Sequence, residues 1–255
     1  MVNPVLERLY RENEVVHRNG RRMRVVPPGI LPQRGEYLIR LVRERRPQIT
    51  LETGFAYGLS TLFIAEGLRQ NGRGHHIVID PHERTRFDGL GLAHVEEAEL
   101  GPWVTFHDEP SELRLPKLIE EGVRVDLAFV DGHHLFDYVV TDCLFLGQML
   151  RKGGLLVMDD TNLPGVARAC DFFSTNRPDF EELTDASRPG LLRRLVEGTI
   201  PPPPKLFRVF RRIADTRTCI RTSRPRSIGG SVRSRASSTR DARATTRSPR
   251  TSSCG

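Results

Sequence analysis

The sequence is short of the features that mark exported and membrane-bound proteins. Its 255 residues include only four cysteines, Cys143, Cys170, Cys219 and Cys254, with no Cys-x-x-Cys pair among them. A disulfide framework is therefore not expected, and a reduced, cytoplasmic setting fits. Cys143 and Cys170 fall in helical patterns and read as small buried hydrophobes. The first 25 residues are charged throughout and hold no apolar core of signal-peptide length. No stretch approaches the roughly 18 apolar residues that a membrane span requires, so no membrane partner is expected. The Gly-x-Gly-x-x-Gly fingerprint of dinucleotide binding is also missing, which removes the main support for hydride transfer.

Excess positive charge is missing from most of the chain, despite a formal net charge of +7. Residues 205–255 hold 14 Lys and Arg against Asp215 and Asp241, a net +12, which leaves −5 on the first 204 residues. A nucleic-acid-binding face in the core would need the opposite sign. From about Arg217 onward the chain is mainly Arg, Ser, Thr, Pro, Gly and Ala. Such a segment buries too little apolar surface to offset its ordering entropy and reads as disordered. It follows a linker marked by Pro201-Pro202-Pro203-Pro204. Two readings of this basic tail stand side by side: a tether making weak contact with nucleic acid or an anionic surface, or a segment with no selected role.

What is present is a strand–helix rhythm. Residues 1–35 read as an N-terminal arm, with a short helix near Val5–Val16 and prolines blocking helix over Pro27–Pro32. Gly35–Arg45 has apolar residues at helical spacing. Candidate strands follow at Gln48–Thr53, His75–Asp80, Val104–His107, Val125–Asp131 and Gly154–Asp159. Helical stretches lie between them at Leu59–Gln70, Leu90–Leu100, Ser111–Glu121 and Phe136–Leu150. Runs such as Leu127-Ala128-Phe129-Val130 are apolar on both faces, as expected of parallel strands covered on two sides. The pattern predicts an α/β fold with a doubly wound, mostly parallel sheet over residues 36–200, followed by the linker and disordered tail of 201–255. A helix near Val166–Thr175 and a strand at Asp179–Thr184 continue it. A last strand is poorly signalled, with Gly190–Val196 as the candidate.

Ligands of such sheets bind at the carboxyl ends of the strands, where the chemically informative residues cluster. Glu52-Thr53-Gly54-Phe55-Ala56-Tyr57-Gly58-Leu59-Ser60 is a glycine turn from strand to helix, and its glycines permit close backbone approach. Glu52 would repel a pyrophosphate but favour a sulfonium or ammonium. Ser60 can cap the helix or contact a carboxylate. Asp80, ending the second strand, can accept from both hydroxyls of a ribose or cap the segment before Glu83. Asp108 and Ser111 follow the third strand, beside an expected adenine, although Ser111 can equally be a helix cap. Trp103 reads as core.

Asp131 ends the fourth strand, and Asp159 and Asp160 end the fifth. Neighbouring strands lie about 4.8 Å apart, so these carboxylates would repel one another unless paired. An oxygen-preferring divalent cation such as Mg²⁺ would resolve that repulsion and could lower the pKa of a substrate hydroxyl. His134 can take the hydroxyl proton or make a structural hydrogen bond. His133 reads as a bystander and Asp142 as a structural hydrogen-bonder.

The stretch from about Gln33 to Leu183 resembles the class I S-adenosylmethionine-dependent methyltransferases. The matching residues are Asp131-Gly132-x-His134, with Phe136 where a tyrosine is usual, together with Asp142, Gly153–Asp160 and the turn Glu52-x-Gly54-x-x-Tyr57-Gly58-x-Ser60. The branch it is most similar to contains macrolide-sugar and catechol-type O-methyltransferases. The resemblance implies S-adenosylmethionine held by Glu52, Gly54, Tyr57, Gly58, Ser60, Asp80, Asp108 and Ser111. It also implies magnesium at Asp131, Asp159 and Asp160, and catalysis by His134 with Asp131. The implied substrate is a small hydroxylated molecule such as a sugar, polyketide or catechol. Two alternatives remain open: a cofactor-binding protein without catalysis, and a nucleic-acid methyltransferase that uses the basic tail. A homo-oligomer is compatible with either the leading reading or these.

Overall fold

Asn3 begins the first helix by accepting the Val5 N–H at 2.9 Å through its side chain, and Pro4 occupies the first helical position. The chain is described here from a computed structural model over residues 3–183 and 207–215. Helix α1 (Pro4–Glu12) stops where Asn13 takes a left-handed φ of 47°, with its N–H on the Leu9 carbonyl at 2.8 Å. The helix expected to run to Val16 is therefore shorter. Residues 14–16 instead form β1 (Glu14–Val16), paired antiparallel with β2 (Arg22–Arg24). Helix α2 (Pro32–Arg45) starts with proline at its N-terminus, inside the expected arm.

The central sheet then builds as expected from β3 (Ile49–Thr53), α3 (Leu59–Asn71), β4 (His75–Ile79), α4 (Leu90–Glu97), β5 (Val104–His107), α5 (Ser111–Glu120), β6 (Val125–Val130), α6 (Phe136–Met149) and β7 (Leu150–Met158). After α7 (Pro164–Asn176) come β8 (Phe180–Glu182) and β9 (Arg208–Arg212). The seven strands lie in the order β5-β4-β3-β6-β7-β9-β8. The first five are parallel, and β9 runs antiparallel between β7 and β8. Strand order reverses between β3 and β6, which puts the switch-point crevice between their carboxyl ends.

Side-chain alternation along the strands divides the core into two layers. Leu127, Phe129, Leu155 and Val157 face one layer with Leu38, Leu41 and Val42 of α2 and Leu62 and Phe63 of α3. Ala128, Val130, Leu156 and Met158 face the other, with Leu118 of α5, Val139 and Leu146 of α6 and Phe173 of α7. Each fully buried Leu, Val or Phe contributes roughly 1.5–3 kcal/mol relative to exposure. Cys143 and Cys170 are free and buried in the second layer, as their patterns predict. Trp103 packs against the first.

The closing strand departs from the sequence reading. It lies beyond the four prolines, inside the segment that composition assigned to linker and tail. Composition misleads here because arginine dominates the segment, yet it also carries the apolar Phe207, Val209 and Phe210. Val209 and Phe210 are fully buried, and Arg208 pairs with Glu182 (2.7 Å) and Asp171 (2.6 Å). The candidate strand Gly190–Val196 and the tail beyond residue 215 lie outside the described residues. No described helix is long and apolar enough to cross a membrane.

Candidate active site

The turn after β3 is shaped from beneath. Gly54 has φ 91° and Gly58, which starts α3, has φ 80°, conformations that favour glycine. Asp80, at the end of β4, holds the turn: its Oδ2 accepts the N–H groups of Phe55 (2.8 Å) and Ala56 (3.2 Å), and its Oδ1 accepts that of His82 (2.7 Å). Glu52 is fully buried and accepts from Ser60 Oγ, from Thr61 Oγ1 at 2.6 Å and from His76 Nε2 at 2.9 Å. Glu52 and Ser60 thus form part of a buried brace between β3, β4 and α3. Tyr57 is also buried, and its hydroxyl meets His17 Nε2 of the N-terminal arm at 3.0 Å.

After β5, Asp108 is exposed and pairs with Arg84 at 2.9 Å. Ser111 makes no cap. It donates to Asp142 Oδ1 at 2.7 Å, the structural hydrogen bond expected of Asp142. Burial pushes the Asp142 carboxyl up to about 6, against the opposing effect of that bond.

The ends of β3, β6 and β7 meet tightly. The Asp131 N–H bonds to the Thr53 carbonyl at 2.9 Å and the Asp159 N–H to the Val130 carbonyl at 3.0 Å. His134 Nε2 stands 3.4 Å from Asp160 Oδ2 and 3.8 Å from Asp131 Oδ1. The ligand atoms of Asp131, His134 and Asp160 all lie within 4.8 Å of one another. Asp159 is not in this group. It pairs with Arg34, which also lies 3.0 Å from Asp160 Oδ1. Of the three carboxylates, Asp159 faces the guanidinium, Asp131 the imidazole, and Asp160 both.

Burial raises the pKa of Asp131 most, opposed by pairing with His134, and the neighbouring carboxylates raise it further. Pairing with Asp131 raises the His134 pKa, against partial burial. Asp159 is raised by burial and drawn back by Arg34. Burial opposes the charge of Arg34, but its bonds to Asp159 and Asp160 hold its pKa above the ordinary value.

Arg34, His17 and His76 carry no motif in sequence. They lie on other elements and reach the strand ends only in three dimensions. Glu83 is a further buried carboxylate near the turn, with Oε1 accepting the Leu92 N–H at 2.9 Å.

The residues suit a cationic cofactor in charge, because the strand ends beside the turn are acidic. They also suit a divalent cation: two carboxylates and an imidazole converge, and one guanidinium does not balance three carboxylates. Because one donor is nitrogen, the set differs from the all-oxygen trio expected for magnesium.

A family model described as a methyltransferase domain matches residues 51–161. Rhamnosyl O-methyltransferases of Mycobacterium tuberculosis and Mycobacterium bovis are 26% identical over 133 residues, covering 49% of this chain and 50% of theirs. The chain thus spans about half the length of these curated relatives. The O-methyltransferase TomG of Streptomyces achromogenes, solved with SAM, superposes with a TM-score of 0.58 at 19% identity, covering 73% of this chain and 82% of that one. An O-methyltransferase of Bacillus cereus in complex with SAH gives 0.56 at 17% identity, covering 70% and 81%. Residues 51–161 are therefore similar to a methyltransferase domain, and the chain shares the fold of these O-methyltransferase structures.

Proposed function

We propose that this chain transfers a methyl group to an oxygen of a small hydroxylated molecule. The observation that carries the reading is the convergence of Asp131, His134 and Asp160 at the carboxyl ends of β6 and β7, next to the glycine turn of β3. Bound S-adenosylmethionine supplies an activated methyl group on a positively charged sulfur. Gly54 and Gly58 let the turn pack against the β6 loop and Phe55, while Asp80 and Glu52 with Ser60 fix its shape. Tyr57 fastens the arm to the turn through His17. Asp108, exposed after β5 and paired with Arg84, is the residue placed to reach an adenine.

His134 is 43% exposed at its side chain, so an acceptor hydroxyl can reach the imidazole. It takes the hydroxyl proton, and Asp131 and Asp160 orient the ring and stabilise it once protonated. Methyl transfer is an in-line displacement, so holding donor and acceptor in line supplies much of the acceleration.

A finer reading adds a divalent cation. Asp131 and Asp160 would hold it, and it would lower the pKa of the acceptor hydroxyl. The residual negative charge beside Arg34 supports this. One observation favours a metal-free reaction instead: Arg34 already places a fixed positive charge on two of the three aspartates. Among sugar, polyketide and catechol acceptors, the relatives named rhamnosyl O-methyltransferases favour a sugar hydroxyl.

The test is calorimetric titration with S-adenosylmethionine in EDTA and then in excess Mg²⁺, followed by methyl-transfer assays on hydroxylated sugars, polyketides and catechols in both conditions. Cofactor binding with transfer to an oxygen supports the proposal, and the EDTA arm separates the two mechanisms. Binding without transfer to any acceptor would favour a non-catalytic cofactor binder. Absence of binding in both conditions would overturn the reading.

A further inference from the structure

Arg34 reaches the strand ends from α2, outside the segment that matches the family model. Its side chain is 11% exposed, and one nitrogen, Nη1, serves both Asp159 Oδ1 and Asp160 Oδ1. The other oxygen of Asp160 stands 3.4 Å from His134 Nε2. One carboxylate therefore bridges a guanidinium and an imidazole. Asp160 holds this place with a left-handed φ of 50°, and its N–H donates to Asp159 Oδ1 at 2.6 Å. Asp159 is 3% exposed, and its Oδ2 has no hydrogen-bond partner among the described residues.

We propose that Arg34 is a positioning residue that partitions the acidic cluster. It keeps Asp159 out of the reactive group and turns Asp160 Oδ2 toward His134. The physical basis is charge pairing in a poorly solvated place. A buried carboxylate without a counter-cation is costly, so Asp159 stays with the guanidinium that neutralises it. A guanidinium is weakly hydrated and always charged, which suits this position better than an ammonium. Without Arg34, three carboxylates at neighbouring strand ends would share no fixed cation, and Asp159 would become available to a metal ion. The inference rests on the proposed site only in taking Asp131, His134 and Asp160 as its reactive group. It does not depend on methyl transfer.

The experiment is a titration of the full chain with Mn²⁺, read by electron paramagnetic resonance. The proteins are the wild type, Arg34→Met, Arg34→Lys, Asp159→Asn and the Arg34→Met/Asp159→Asn pair. Freed of its counter-cation, the cluster in Arg34→Met should bind Mn²⁺ at least about tenfold more tightly than the wild type. Arg34→Lys keeps the charge and should stay within about threefold of the wild type. Asp159→Asn alone should change affinity by less than about threefold, yet in the Arg34→Met background it should erase the gain, the non-additivity expected of coupled neighbours. Equal or weaker Mn²⁺ affinity in Arg34→Met would overturn the proposal, as would no Mn²⁺ binding by any folded variant. If circular dichroism shows Arg34→Met to be unfolded, Asp159→Asn decides alone: a loss of about tenfold or more places Asp159 in the cation site and sinks the partition, and an unchanged affinity upholds it. Titrating the same samples with S-adenosylmethionine separates the two ideas. Failure to bind it would count against the functional proposal and leave the Mn²⁺ comparison intact.

Discussion

Gly54 and Asp131 meet backbone to backbone. A Cβ on Gly54 would run into the Asp131 carbonyl and stand 2.8 Å from the Gly132 Cα. The glycine turn of β3 and the acidic loop of β6 are therefore in direct contact, with no side chain between them to yield. A shift in one is a shift in the other, which links the turn to the orientation of His134 and Asp131.

Gly54→Ala should damage both parts at once. The substitution meets a positive φ of 91° and a backbone clash, neither of which a rotamer change can relieve. A stability loss of about 2–4 kcal/mol is expected, with weakened cofactor binding in any folded fraction. Urea unfolding and calorimetry on the variant check this. A variant that melts and binds S-adenosylmethionine like the wild type would show that the contact is not rigid.

His134→Gln should separate binding from chemistry. Glutamine keeps a polar side chain of similar reach but cannot take up a proton at neutral pH. Turnover should fall by about 10²- to 10⁴-fold, the range for loss of a general base, with S-adenosylmethionine affinity nearly unchanged. The pH profile of the wild type should rise through an acid limb above the ordinary histidine value, because pairing with Asp131 raises the His134 pKa. That limb belongs to the His134–Asp131 pair as a unit. An acid limb below that ordinary value would argue that another group accepts the proton.

Glu83 gives the fold itself a pH dependence. Burial pushes its carboxyl up to about 7, beyond the opposing effect of the Leu92 N–H, and its Oε2 has no hydrogen-bond partner among the described residues. The folded state thus holds this proton more tightly than the unfolded chain does. Its contribution is fully present below the ordinary glutamate value and is lost as pH rises to about 7. Chemical denaturation should show stability falling on the order of 2 kcal/mol across that window, and less in Glu83→Gln, which keeps the Oε1 acceptor and cannot ionise. Parallel curves for the two proteins would remove Glu83 as the cause. Asp142, raised to about 6 by burial, acts in the same direction.

Local pattern made most of the architecture legible. The five parallel strands are apolar runs bounded by turns, and their order along the chain places Asp131, His134 and Asp160 at the carboxyl ends of two neighbouring strands. What could not be read was partnership. That Glu52, Ser60 and His76 complete one buried hydrogen-bond network is not visible in the turn that Glu52 and Ser60 flank. Asp159 looked equivalent to Asp160 because the two are adjacent, but a strand end sends neighbouring side chains in different directions, and only one meets His134. The cation that separates them, Arg34, is about 125 residues away in the chain, a separation that periodicity does not report. The last strand was hidden by composition, because its arginines pair with Glu181, Glu182 and Asp171 and so do not signal a solvated tail.

That last strand gives a sharp test of where the domain ends. β9 bonds to β7 on one side and β8 on the other. It delivers Phe207, Val209 and Phe210 to the core, where Phe207 meets Phe129 and Tyr37 edge-on with ring centroids 5.6 Å apart in each pair. A chain ending at Asp215 keeps all of these contacts and should melt within about 2 °C of the full-length protein. A chain ending at Pro204 loses three buried side chains worth roughly 1.5–3 kcal/mol each. That approaches the whole stability of an ordinary domain, about 5–15 kcal/mol. It also bares the edge of β7, an invitation to aggregate. Thermal melts and size-exclusion profiles of the two truncations should therefore diverge, with the shorter chain unfolded or aggregated. If both melt alike, the arginine-rich strand is dispensable, and the domain closes before the four prolines, as its composition alone suggests.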